Sequence, residues 1–153
     1  MPKKLIYSYL NDDELLRISS KIRDVEKTTA GELVVSIKEK RKLFEKSKSL
    51  QTLAEHEFIN AGIAKTAGST GVLIFLVLIS KEFYILADKK INEKVDQAVW
   101  NNIATKMGNH FIDGNFCKGI LMGIEECGKI LSAHFPILPN DVNELSNNIR
   151  LKK

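Results

Sequence analysis

A chain of 153 residues suits one compact domain, in which about 70% of the unfolded surface can be buried without disulfide or metal staples. Hydrophobic residues make up 44% and charged residues 27%, and there are only 3 Pro, which excludes long disordered stretches. The formal charge of +4 is a mild excess that does not by itself mark a nucleic-acid binder.

The N-terminus, Met1 to Ser8, has no apolar h-region and no small-residue cleavage site. The longest apolar run, Gly71 to Ile79, is too short to span a bilayer and suits a buried strand. A cytoplasmic protein with no membrane partner is therefore expected. Cys117 and Cys127 stand too far apart on one predicted helix to bridge each other, and read as reduced thiols, small and buried.

In chain order, Asn11 and Glu14 have capping-box spacing ahead of Leu15, Ile18, Ile22 and Val25, which share one helical face. A helix over residues 12–28 follows, and Gly31 breaks it. Leu33 to Ile37 is a strand rich in β-branched residues. Lys38 to Ser49 is a charged connection to a second helix over 50–63, and 67–71 is a turn-rich link. Val72 to Ile79 reads as a central strand covered on both faces, with Glu82 to Ala87 as its hairpin partner. Ile91, Val95, Val99, Ile103 and Met107 predict a third helix, and Ile120, Leu121, Ile124, Cys127 and Leu131 a fourth. The core spans about 10–135, and 136–153 forms an extended tail of the same single domain.

Strand, helix, strand makes a parallel βαβ unit, and the hairpin adds an antiparallel third strand. The expected architecture is a Rossmann-like three-layer α/β/α sandwich with a small mixed sheet. The chain reversals bring Glu32, the start of the second strand and Asp88 to the edge where the first strand begins. The fourth helix runs back to the same edge and delivers the tail, with Asp141, Asn143 and Glu144. Carboxylate and amide oxygens on irregular segments suit a hard cation such as Ca²⁺, although solvated loop carboxylates account for the same residues.

Taken together, these segments resemble the TPM domain family. The matching stretches are Thr29 to Val35, Thr70 to Ile79 with its hairpin to Asp88, and Ile112 to Phe116 followed by Gly119-Ile120. His134-Phe135-Pro136 and Asn140 to Leu145 resemble the tail of a stand-alone bacterial branch. The resemblance implies an α/β/α sandwich and divalent-metal binding, mainly of Ca²⁺, in some members. It also carries an acid phosphatase activity attributed to a plant thylakoid member. The sequence departs from other members in having Asp88-Lys89-Lys90 where they have Gly-x-Gly, and Ser69-Thr70 where they have an acidic or Asn residue. With the resemblance in view, the metal ligands are placed on Glu32, Asp88, Asp141, Asn143 and Glu144, holding Ca²⁺ or Mg²⁺ and room for more than one ion.

Other constellations are weaker. His56 between Glu55 and Glu57 lacks the helical spacing of a metal pair and reads as a solvated face. His110 and His134 each precede a Phe at an element boundary and read as packing or capping residues, and Asp113 before Gly114 as a turn former. Trp100 reads as core or groove lining. No nucleophile elbow, P-loop, GxGxxG or HExxH is present. Lys38, Lys40, Arg41, Lys42, Lys46 and Lys48 surround Phe44 and could meet phosphate groups or an acidic partner; Glu39 and Glu45 interrupt the run, so solvated loop charge is the plainer account. The functional expectation is thus a cation-modulated binding or scaffold domain for an unknown protein partner. A metal-assisted acid phosphatase is the alternative. A phosphate-rich or nucleic-acid partner on the 38–48 segment is third, and nucleic acid is the less expected of the two.

Overall fold

The computed structural model describes residues 5–63, 68–137 and 149–152. After a 3₁₀ turn at Leu5–Ser8, α1 (Asp12–Glu26) starts on a full capping box. Asn11 Oδ1 accepts from the Glu14 N–H at 2.8 Å, and Glu14 Oε1 accepts from the Asn11 N–H at 3.0 Å. Two of the donors that a helix start leaves orphaned are satisfied in this way. β1 (Glu32–Lys38), α2 (Leu50–Asn60), β2 (Gly71–Val77) and β3 (Glu82–Ala87) follow, then α3 (Lys89–Asn92), α4 (Gln97–Ile112), α5 (Phe116–His134) and β4 (Ile149–Lys152).

The strands form one mixed sheet in the order β3-β2-β1-β4. β1 runs parallel to β2 with Glu32 opposite Gly71, and parallel to β4 with Val35 opposite Ile149. β3 is antiparallel to β2. Alternation along β1 divides the core, since successive side chains point to opposite faces. Leu33, Val35 and Ile37 join Ile18 and Ile22 of α1, Ile103 and Met107 of α4, and Ile124 and Cys127 of α5. Val34 points the other way, and with Leu73 and Phe75 packs on Leu53, Ala54 and Phe58 of α2. Every residue of β2 is buried, as its unbroken apolar run requires of a strand covered on both sides. The result is the expected α/β/α sandwich.

Two details differ from the sequence reading, and the hairpin turn adds a third that it left open. The predicted third helix is two helices, because the chain breaks helical phase between Asn92 and Gln97. Val99, in phase with Ile91 and Val95 on paper, is therefore 41% exposed, and Trp100 takes the fully buried position instead. The hairpin turns without glycine, because Lys81 itself adopts φ +52°. Finally, part of the expected extended tail is a strand: β4 pairs with the edge of β1 that β2 leaves open. Among the described residues no helix is long and apolar enough to cross a membrane.

Candidate functional site

The edge at which β1 and β2 begin is built around the backbone of Gly71. On one side, Glu32 lies opposite it in β1, and the Glu32 N–H donates to the Thr70 carbonyl at 3.2 Å. On the other side, the Asp88 N–H donates to the Gly71 carbonyl at 2.9 Å. A β strand thus carries one carboxylate on each flank, on residues 56 positions apart in the chain. The glycine is a packing requirement, since a methyl group built on it would run into Ile63 Cγ2.

The two carboxylates are in different settings. Glu32 is 6% exposed. Asp88 is half-buried and is the N-cap of α3, with Oδ1 accepting from the Lys89 N–H at 2.7 Å. Its second oxygen, Oδ2, is buried and has no hydrogen-bond partner among the described residues. An unsatisfied carboxylate oxygen is costly to bury and is also the donor that a hard cation takes. In that respect the residues fit a divalent ion.

Of the five expected ligands, the structure brings Glu32 and Asp88 to one edge. Asp141, Asn143 and Glu144 lie outside the described residues. The chain does leave α5 at this same edge, where Thr29 and Pro136 form an antiparallel bridge and the Ala30 N–H donates to the Phe135 carbonyl at 2.9 Å. Among the described residues, no three His, Cys, Asp or Glu side chains are gathered as a metal centre requires.

A model of the TPM domain matches residues 7–130. The chain belongs to the TPM domain family. The BA42 protein of the psychrophilic bacterium Bizionia argentinensis, solved by NMR, is 32% identical, with a TM-score of 0.82 over 94% of this chain and 95% of that one. The N-terminal domain of a protein from P. gingivalis shares the fold at 16% identity, with a TM-score of 0.69 over 83% of this chain and 79% of its own. No curated protein matches the sequence.

This TPM domain also contains a polar cluster that the sequence reading missed. Ser36 and Glu57 are 0% and 5% exposed, and Ser36 Oγ donates to Glu57 Oε2 at 2.5 Å. Arg150 Nε donates to the same oxygen at 3.2 Å. The cluster lies under α2, and Glu57 helps line a recess of about 600 Å³ together with Lys38, Glu45, His56 and Leu151. Two signals were present in the sequence. Ser36 interrupts an apolar strand, and Glu57 falls three and four residues after Ala54 and Leu53, on the buried face of α2. His56 itself is exposed, as expected, and His110 and His134 stand in the last turns of α4 and α5.

Proposed function

We propose that this TPM domain is a divalent-cation-binding module that takes Ca²⁺ or Mg²⁺ at the edge formed by Glu32 and Asp88. Asp141, Asn143 and Glu144 would supply further oxygens, and one ion or more would be held. The bound ion would order this edge and so modulate a binding or scaffold role toward a protein partner. The observation that carries the reading is the Asp88 carboxylate: one oxygen caps α3, and the other is buried at the sheet edge without a donor among the described residues. A cation at that oxygen would offset the desolvation of the carboxylate, and Ca²⁺ accepts ligands from irregular segments in the number these residues could supply.

The test is calorimetric titration of chelator-stripped protein with Ca²⁺ and then Mg²⁺, with backbone amide shifts followed in parallel. Saturable heat, with shifts centred on Glu32, Gly71 and Asp88, is expected. An ion that binds only the folded state adds about 2.7 kcal/mol at a hundredfold excess over Kd, so the melting temperature should rise with it. Asp88→Asn should abolish the rise while leaving an oxygen to cap α3. No heat and no thermal shift at millimolar Ca²⁺ or Mg²⁺ would remove the proposal.

A further inference from the structure

At the opposite edge of the sheet, where β1 and β2 end, the loop after β1 carries a second 3₁₀ turn at Leu43–Glu45. Leu43 is 84% exposed and Phe44 66%, and Ile79, just beyond β2, is 56% exposed. Leu43 and Ile79 share one recess of about 460 Å³ with Lys40, Lys42 and Lys46. Large apolar side chains projecting from a loop tip are unusual on a surface that meets only water.

The tip is held in place from within. Arg41 makes a two-pronged contact with Glu82 of β3, Nε to Oε1 at 2.8 Å and Nη2 to Oε2 at 2.7 Å. Its remaining nitrogen, Nη1, donates to the Glu45 carbonyl at 3.1 Å and the Lys48 carbonyl at 2.6 Å, one on each side of the loop's return. The acids that interrupt the basic run in sequence are turned inward. Glu45 pairs with Lys38 at 3.0 Å, and Glu39 accepts from the Leu5 N–H at 3.1 Å. Lys40, Lys42 and Lys46 are exposed and form no salt bridge among the described residues. The fold therefore sorts a mixed-charge segment into a braced base and a basic, apolar tip.

We infer that this edge docks on an anionic phospholipid surface, with Leu43, Phe44 and Ile79 entering the headgroup boundary and Lys40, Lys42 and Lys46 meeting lipid phosphates. Apolar tips ringed by lysines match the two attractions that hold interfacial proteins, apolar burial and the negative surface potential. A nucleic acid would satisfy the lysines and could stack on Phe44, but it gives aliphatic Leu43 and Ile79 nothing to bury against. The expectation of no membrane partner rests on the lack of a spanning run, which governs crossing a bilayer and not resting on one.

The full chain, kept in chelator so that the cation edge plays no part, is sedimented with vesicles of equimolar phosphatidylglycerol and phosphatidylcholine and with vesicles of phosphatidylcholine alone. Binding to the first and not the second is expected. Joint Lys40→Glu, Lys42→Glu and Lys46→Glu substitution should weaken it by about tenfold or more, since each surface lysine adds to the attraction. Leu43→Ser with Phe44→Ser should also weaken it about tenfold, with little change in melting temperature because Leu43 and Phe44 are mostly exposed in the free protein. The inference is overturned if the anionic vesicles do not bind, or if binding survives the apolar substitutions undiminished. Retention of duplex DNA in place of vesicles would overturn it in favour of a soluble polyanion.

Discussion

Arg150 on β4 donates to Glu57 on α2 at 3.2 Å, a contact that closes a sequence separation of 93 residues. It joins the last strand of the sheet to the helix that covers one face. Glu57 is almost wholly buried, whereas the Arg150 side chain keeps 26% exposure, so the carboxylate depends on the pair more than the guanidinium does.

Removing the arginine should therefore be costly. Arg150→Ala removes a charged hydrogen-bond partner from a buried carboxylate, and a loss of about 1–3 kcal/mol is expected. Glu57→Gln should cost less, because its amide oxygen can still accept from Ser36. Urea midpoints at constant slope provide the comparison. An Arg150→Ala midpoint equal to wild type would mean that the contact does not fasten β4.

Gly71→Ala should destabilise by about 1–3 kcal/mol, because the added methyl meets Ile63 Cγ2 in a fully packed site. Ile63→Ala makes a cavity on its own, yet it removes the atom that is struck. The double variant should then be less destabilised than the sum of the singles, as neighbouring sites couple. Strict additivity in thermal melts would argue that the strain is released elsewhere.

The Arg41 hydrogen bonds hold the Glu82 carboxyl below the usual glutamate value of 4.5, against the opposing effect of its partial burial. A depressed folded-state pKa gives stability that is present above 4.5 and is lost as the pH falls through the lower folded value. Wild type should lose melting temperature more steeply than Glu82→Gln as the pH drops below 4.5, and the two curves should converge in acid. Parallel curves throughout would show that the pair adds nothing to folding.

Both thiols should resist alkylation in the folded protein. Burial pushes the Cys127 thiol far up, and Cys117 is raised by burial and by the neighbouring Glu14 carboxylate. Since the thiolate is the reactive form, pulsed alkylation read by mass should label Cys127 only at the rate of unfolding, and Cys117 more slowly than an exposed cysteine. Rapid native labelling of Cys127 would contradict its burial.

Local chemistry was legible where one residue pattern has one solution. The Asn11–Glu14 capping box, the buried run of β2 and the α1 face of Ile18, Ile22 and Val25 stand as read. The convergence of Glu32 and Asp88 followed from chain reversals alone, since parallel β1 and β2 followed by a hairpin leave those residues no other edge. Where a pattern had two solutions the reading failed. The even four-residue spacing from Ile91 to Met107 does not register the break at 93–96, so Val99, placed on the buried face, is exposed, while Trp100 is core as read.

The sequence by itself determined the family, the alternation of strands and helices, and the edge at which the first and third strands present their carboxylates, because periodicity and chain direction are local properties. Only the tertiary structure decided that β4 closes the free side of β1, and that a helix glutamate next to a solvated histidine is buried against Ser36 and Arg150. It also decided that the acids of residues 38–48 face inward while Leu43 and Phe44 face out. Each of these depends on a partner many residues away, and the energy of desolvating a charge is set by that partner and not by the neighbours in the chain.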